Sequence, residues 1–272
     1  MRKSVVAGAF YPASKEELKK EVKKYLSQSK ENIKAVISPH AGYIYSGKLA
    51  GNVIGRIENK GNFILLGVNH SGLGNKISFS LQDFETPLGI VKNNKALTEI
   101  IMKKLKKEAL DAAINENPHT NEHSLEVQLP FLQESQKKFE IIPILIKDLD
   151  YEECKRIAKV LVEFTDNNVC ILVSSDMTHY GKTYGYVPFT KNIKDSLYKL
   201  DTEVLFEILK LKSEAVYDNA IKTTICGLYG ITIITEIAKI KKMKAKIIDY
   251  YTSGDITRDY NNAVGYAGVV FY

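Results

Sequence analysis

The sequence predicts a single α/β domain, residues 1–272, in which helices flank a mostly parallel central sheet. Short apolar, β-branched runs recur along the chain without the polar alternation of half-exposed strands, and they therefore predict strands buried on both faces. Amphipathic segments separate these runs, as in folds that join parallel strands by crossover helices. No segment rich in Gly, Ser or Pro divides the chain, so we expect one domain.

Predicted strands and helices alternate in the first half of the chain. Runs such as Ala35-Val36-Ile37 predict strands, and Ser14 and Glu17 have the spacing of a capping box at a helix start. We expect a short strand or extended arm over 5–10, helices over 14–26, 48–57 and 96–107, buried strands over 35–37 and 63–68, a β excursion outside the core over 77–81 and 89–91, and an irregular segment over 111–119.

The same alternation continues in the second half. Thr120 or Asn121 can cap a helix that carries Glu122, His123 and Glu126 and ends near Pro130. The further predicted elements are strands over 141–146, 169–173, 246–251 and 267–272, a helix over 151–164, and two or three helices within 191–242, the last of which begins near 226–227.

Composition narrows the classes of protein that the chain can represent. The net charge is +6, but the lysines are spread over predicted helix faces, which argues against a nucleic-acid interface. No apolar run is long enough to cross a bilayer. The three cysteines form no CxxC pair, which argues against disulfides and zinc ribbons. We expect a soluble, cytoplasmic protein without membrane contact.

Three of the five histidines share one sequence context. His40, His70 and His179 each follow an apolar strand by one to six residues, in a loop with a nearby glycine. Because the carboxyl ends of parallel strands meet at one edge of a sheet, these loops are expected to converge on one site. A single histidine there is more often a loop hydrogen-bonding residue. Three together favour a metal site, since imidazole is the commonest protein ligand for iron, copper and zinc.

Asp176 and Cys226 are candidate anionic ligands for this site. Cys226 lies where a helix is predicted to begin, and a helix N-terminus stabilises the thiolate form that binds metals. The alternative is that Cys226 is a small buried apolar residue, as most free cysteines are. We apply that interpretation to Cys154 and Cys170, which lie within a predicted helix and a predicted strand.

Further side chains are candidates for the pocket around the histidines. We place Glu122 and His123 at its wall, with Glu122 or Glu126 orienting His123, although a helix cap with an ion pair would give the same sequence. Tyr43 follows His40 closely and can line a pocket that accepts a ring or a peptide. The alternative for Tyr43 is partly buried packing, which is the commoner use of tyrosine.

Six short motifs occur in a fixed order and cover nearly the whole chain. They are Ala7-Gly8-Ala9-Phe10-Tyr11-Pro12, Pro39-His40-Ala41-Gly42-Tyr43, Asn69-His70-Ser71, Glu122-His123-Ser124-Leu125-Glu126, Ser174-Ser175-Asp176 with His179-Tyr180-Gly181, and Thr224-Ile225-Cys226-Gly227. Together these motifs resemble the Memo family (mediator of cell motility).

The resemblance implies a fold similar to class III extradiol dioxygenases, which are non-haem iron enzymes. It implies that His40, His70 and Cys226 bind the metal, that His179 is a catalytic acid/base, and that Asp176 is another pocket residue. We assign Asp176 as a second catalytic residue. Iron is the implied cofactor, with copper or zinc as alternatives. Those dioxygenases complete their ligand set with a carboxylate. Because this sequence offers Cys226 instead, ring cleavage does not simply carry over.

The resemblance also implies classes of partner. In eukaryotic members the same pocket region is linked to phosphotyrosine peptides, and prokaryotic members are associated with a radical-SAM protein and a small companion domain. We therefore expect a small molecule or a peptide as ligand. Three functions stay open: a redox-type iron protein, a metal-dependent hydrolase with His179 as base, and a module that binds a peptide or phospholigand without turnover.

Overall fold

The computed structural model describes residues 1–272. Its strands are β1 (Ala35–Ser38), β2 (Asn62–Val68), β3 (Ile77–Phe79), β4 (Phe84–Thr86), β5 (Gly89–Asn93), β6 (Ala112–Ile114), β7 (Glu140–Ile146), β8 (Val169–Ser174), β9 (His179–Gly181), β10 (Ala245–Thr252) and β11 (Asn262–Phe271). Its helices are α1 (Lys15–Tyr25), α2 (Lys48–Gly55), α3 (Lys95–Lys107), α4 (Leu129–Ser135), α5 (Tyr151–Leu161), α6 (Ile193–Leu209), α7 (Ser213–Ala220), α8 (Leu228–Ile240) and α9 (Ser253–Thr257).

The central sheet is mixed, with the strand order β10-β11-β1-β8-β2-β7-β3-β6. Its four middle strands β1, β8, β2 and β7 run parallel, whereas β11 joins β1 antiparallel and β10 joins β11 antiparallel. The prediction of a mostly parallel sheet is therefore right for the centre, where β5 also pairs parallel with β7, whereas β3, β10 and β11 make the sheet mixed. Residues 253–261 connect β10 to β11 and are fewer than the dozen or so that a parallel crossover needs.

Both faces of the middle strands are covered by helices. Along β2, Ile64 and Leu66 pack into one apolar cluster, and Phe63 and Leu65 pack into the other. The first cluster lies against α3, α5, α6, α7 and α8, and the second lies against α1, α2 and α4. Burial on both faces explains why these strands lack polar alternation. None of the helices is sufficiently long and apolar to span a membrane.

Most predicted helices are present, and their caps explain where they begin. Ser14 accepts the amide of Glu17 at the start of α1, and Asn94 accepts that of Leu97 at the start of α3. A capping box of Asp150 and Glu153 begins α5. The predicted β excursion needs correction, because Ile77–Phe79 is a buried strand of the main sheet that pairs with β7. The segment predicted to be irregular contains β6.

The predicted helix over Glu122 and His123 is wrong. A 3₁₀ turn covers Glu126–Gln128 and α4 begins only at Leu129, with Pro130 in its first turn. Proline lacks an amide donor, and the first turn is where that donor is not needed. Pro130 thus marks the start of a helix rather than its end.

A buried ion pair ties the N-terminal arm to the segment that carries Glu122. Arg2 Nη1 lies 2.6 Å from Glu126 Oε2, and both side chains are almost fully buried. The guanidinium also donates to the backbone carbonyls of His119 and Glu122. Glu126 further accepts the hydroxyl of Tyr11 at 2.5 Å. The arm therefore fixes the backbone on both sides of His123.

We expect Arg2→Ala to lower the free energy of unfolding by about 3 kcal/mol, because it leaves the buried Glu126 carboxylate without its cation. Arg56→Ala is the matched control, since the Arg56–Glu31 pair is part-exposed and should change stability by no more than about 1 kcal/mol. Urea unfolding followed by circular dichroism measures both. Equal effects of the two substitutions would contradict the structural role given to Arg2.

Candidate metal centre

Residues that follow three neighbouring strands meet at the carboxyl edge of the sheet. His40, Asp176 and His70 follow β1, β8 and β2, which are adjacent in the sheet. They line one pocket of about 540 Å³. His179, at the start of β9, lines the same pocket. The structure thus brings together the three histidines that the sequence places after strands.

The tightest histidine group consists of His40, His70 and His123. One ring nitrogen from each lies within 4.8 Å of the others. The rings of His70 and His123 stack with centroids 4.8 Å apart, and His40 meets both edge-on at 5.4 Å. The sequence predicts His123 at the pocket wall. In the structure His123 lies close enough to His40 and His70 to be a third metal ligand.

The Glu122 carboxylate fixes the orientation of the His70 ring through its Nδ1 atom. Its carboxylate lies 2.9 Å from His70 Nδ1 and accepts the backbone amides of His70 at 2.9 Å and Ser124 at 2.8 Å. Burial alone would raise the pKa of this carboxyl, but His70, the Ser124 amide and His123 lower it to about 2. An ionised carboxylate can only accept, so Nδ1 of His70 donates and its Nε2 stays free.

The other two rings of the group are neutral near pH 7. Burial, reinforced by His70, lowers the pKa of His40 to about 3. Burial and His40 lower the pKa of His123 to about 4, even though Glu122 lies 3.5 Å from its Nδ1. Neutral imidazole is the form that binds metal ions. The pocket therefore presents metal-binding nitrogens without any proton having to leave these two rings.

Cys226 lies behind His40 rather than in the open pocket. Its Sγ is 3.4 Å from His40 Nε2 and accepts the amide of Asp176 at 3.3 Å. The expected stabilisation of a thiolate by the helix is wrong for the metal-free protein. Burial and the nearby Asp176 raise the thiol pKa, and the Gly227 amide just before α8 donates to Ser175 Oγ instead of the sulfur. Cys226 is thus a neutral thiol in contact with one ligand candidate.

The two predicted catalytic residues both line the pocket. His179 Nδ1 lies 3.1 Å from the carbonyl of Met177 and 3.2 Å from that of Thr224. Carbonyls only accept, so Nδ1 carries the proton and Nε2 is free. Asp176 is 4% exposed and accepts the backbone amide of His40 at 2.8 Å. Burial raises the pKa of the Asp176 carboxyl, although His179 opposes this.

Two other predictions around the pocket need correction, and the fifth histidine lies outside the site. Tyr43 is buried, donates to the carbonyl of Val127 at 2.8 Å and does not line this pocket. His119 is buried against the carbonyl of Ser78 and lies outside the site. Glu126 binds Arg2 instead of orienting His123, because the three-residue spacing aligns side chains only on a helix. Glu122 is the acidic residue beside His123.

The remaining walls come from residues other than the predicted metal ligands and catalytic residues. Aromatic side chains form one part of the wall, and short polar side chains from the end of the chain form another. They are Phe10, Tyr45, Tyr184 and Tyr266, and Ser253, Thr257 and Asn262. Tyr45 and Tyr184 stand next to the histidine motifs, which was a usable signal. The polar residues carry no local signal, since only the pairing of β10 and β11 brings them here.

A histidine-lined pocket at the carboxyl edge of a mixed α/β sheet defines this chain as a candidate metal-binding α/β protein. Comparison with known proteins gives its family. The family model described as Memo-like protein matches residues 2–270. The chain therefore belongs to the Memo family, and this part of the resemblance is confirmed.

Relatives in distant organisms align over almost their whole lengths. A MEMO1 family protein of Aquifex aeolicus is 39% identical over 280 residues, covering 100% of this chain and 99% of the relative. A MEMO1 family protein of Archaeoglobus fulgidus is 35% identical over 277 residues, covering 100% and 99%. One from Pyrococcus furiosus is 32% identical over 292 residues, covering 99% and 98%.

A buried carboxyl supports the backbone just before His179. Asp201 is fully buried and accepts the amide of Thr178 at 3.2 Å and the hydroxyl of Tyr250 at 2.7 Å. Burial raises its pKa from 3.8 to about 6, despite these hydrogen bonds. A folded-state pKa above the unfolded value means that the folded protein binds this proton more tightly.

We expect the stability that Asp201 contributes to be complete below about pH 4 and to be lost as pH rises through about 6. The difference in unfolding free energy between the wild type and Asp201→Asn should therefore fall by about 3 kcal/mol from pH 4 to pH 7. Urea unfolding at several pH values measures this. The exposed Asp195 on the same helix provides the control Asp195→Asn. A difference that does not vary with pH would show that Asp201 is not buried as a proton-binding group.

Proposed function

We propose that this chain binds a transition-metal ion at His40 and His70 and uses it in redox-type chemistry, with iron as the physiological metal. The observation that carries the proposal is the convergence of ring nitrogens of His40, His70 and His123 within 4.8 Å of one another in a pocket of about 540 Å³. A likeness to class III extradiol dioxygenases, which are non-haem iron enzymes, belongs to the same proposal.

The chemistry of the donors fits a metal ion. His40 and His123 are neutral because of burial. His70 donates from Nδ1 to an ionised carboxylate, an arrangement that orients histidine ligands and raises their basicity. Imidazole suits iron, copper and zinc alike, so the donors alone permit copper or zinc as alternatives.

Two donor sets share His40 and His70. In one, the third ligand is His123, which stands in the group already. In the other it is Cys226, whose Sγ touches His40 Nε2 but whose burial favours the protonated thiol. Binding through Cys226 therefore requires loss of a proton, so its metal affinity should rise with pH. We propose the Cys226 set, with His123 placed beside it at the pocket wall.

The remaining residues have distinct tasks in this proposal. A bound iron ion supplies Lewis acidity and one-electron chemistry. His179 presents a free Nε2 to the pocket, because carbonyls hold its Nδ1 proton, and it can accept a proton from a substrate there. Asp176 lies in the pocket wall and fixes the backbone of His40. Phe10, Tyr45, Tyr184 and Tyr266 enclose the substrate and limit access of water.

The pocket favours a small uncharged or aromatic substrate over a phosphate-bearing one. Neither Lys nor Arg is among its lining residues, and phosphate recognition usually depends on such cations. A peptide could present a ring to the tyrosine-lined wall.

Hydrolysis by a metal-activated water would use the same residues, with His179 as the base. Association with a radical-SAM protein and a companion domain remains a proposal from family resemblance.

We expect protein purified without oxygen to contain iron, and His70→Ala to lower iron affinity by about 100-fold or more, since loss of a ligand exceeds the usual cost of losing an outer-shell partner. Elemental analysis and competitive titration with a chromophoric chelator measure this. His119 is a histidine outside the site, so His119→Gln is the control. Wild-type metal content in both His40→Ala and His70→Ala would rule the site out.

Two substitutions separate the donor sets. With Cys226 as ligand, Cys226→Ala should lower iron affinity as strongly as His70→Ala, whereas His123→Asn should have a smaller effect. The reverse order would assign the third position to His123. Cys170→Ala is the matched control, because Cys170 is buried in β8 away from the pocket.

Oxygen uptake by the iron-loaded protein at the rate of the metal-free protein would instead support binding without turnover.

A further inference from the structure

A series of fully buried, hydrogen-bonded polar side chains connects the end of the sheet to His40. Ser38, Gln128 and Ser174 are each 0% exposed. Ser38 and Ser174 are direct partners at the ends of the parallel strands β1 and β8, and Gln128 lies at the end of the 3₁₀ turn before α4. Buried polar side chains cost stability unless every donor and acceptor is paired. Here the pairing is complete and ends at the candidate ligand.

The direction of each hydrogen bond follows from groups that can only accept. Gln128 Nε2 lies 2.9 Å from the carbonyl of Pro39, which fixes the nitrogen on that side of the amide. The same nitrogen donates to Ser174 Oγ at 2.9 Å, and Ser38 Oγ donates to Gln128 Oε1 at 2.9 Å. Both amide protons and the amide oxygen are thereby used within the chain.

The single hydroxyl proton of Ser174 is also assigned. Ser174 Oγ lies 2.6 Å from the carbonyl of Ser124 and must donate to it. Its two lone pairs then accept from Gln128 Nε2 and from His40 Nδ1, which is 2.9 Å away. His40 must therefore carry its proton on Nδ1. Its Nε2 keeps a lone pair and faces Cys226 Sγ.

We propose that Ser38, Gln128 and Ser174 are positioning residues that lock His40 in the Nδ1–H tautomer and aim its Nε2 at the metal site. They act through His40 and touch neither metal nor substrate. The three rings with free Nε2 atoms are then held by three different acceptors: a neutral hydroxyl for His40, a carboxylate for His70, and backbone carbonyls for His179. A hydroxyl donates less electron density through the ring than a carboxylate, so His40 is the weaker donor of the two ligands.

The contribution to metal binding rests on the proposed function, whereas the tautomer does not, and the test separates them. Long-range ¹H–¹⁵N spectra of the metal-free wild type should show His40 protonated at Nδ1 and bare at Nε2. In Ser174→Ala the Nδ1 proton loses its hydroxyl acceptor, and we expect a shift towards the Nε2–H tautomer. Ser78→Ala is the control, because Ser78 is an equally buried serine away from the site.

Anaerobic titration with Fe²⁺ against a chromophoric chelator gives the second readout. We expect Ser174→Ala and Gln128→Met each to lower Fe²⁺ affinity about 10- to 100-fold, the usual effect of losing an outer-shell partner, with Ser78→Ala unchanged. A wild-type His40 protonated at Nε2 overturns the proposal without any variant having to fold. Unchanged tautomer and affinity in folded Ser174→Ala also overturn it. A wild type that shows the Nδ1–H tautomer but binds no Fe²⁺ overturns the proposed function and leaves the tautomer lock standing.

Discussion

Parallel pairing of β1, β8 and β2 is the constraint on which the candidate site depends. The register of β1 and β8 places Ser38 beside Ser174. The backbone segments that follow these two strands therefore leave the sheet next to each other. Two residues further on, His40 and Asp176 lie side by side, joined by the hydrogen bond from the His40 amide. β2 brings His70 to the same edge from the other side of β8. A change of register in β8 would separate all of these contacts at once.

The site also depends on buried polar groups that come from elsewhere in the chain. Glu122 and His123 lie on an irregular segment outside any regular helix, where the His123 carbonyl accepts the amide of Val127. Contacts from Arg2 and Glu126 hold that segment in place, and the Glu122 carboxylate ties it to His70. Such groups would weaken a core if left unpaired. Their pairing explains how a single ring, His123, is held in stacking contact with His70.

The sequence reveals the central strands and the histidines after them, because both signals are local. His40, His70 and His179 each follow an apolar run, and the topology of parallel strands does the rest. His123 was harder to place, since its position comes from the hydrogen bond of Arg2 to the neighbouring Glu122 carbonyl and from stacking on His70, rather than from helical spacing. The protonation of Cys226 depends on burial, which no local pattern reports. The antiparallel pairing of β10 with β11 follows from the short connection between them, and neither strand carries a local signal of its direction.

X-ray absorption at the iron edge tests the central claim most directly, using protein loaded with one equivalent of Fe²⁺ without oxygen. We expect the multiple-scattering pattern of at least two imidazole ligands, with a longer sulfur scatterer at about 2.3 Å if the thiolate of Cys226 binds. The imidazole pattern should weaken in His70→Ala and stay unchanged in His119→Gln. A shell of oxygen scatterers alone, the same in the wild type and in His70→Ala, would contradict the claim that this edge of the sheet is a metal centre.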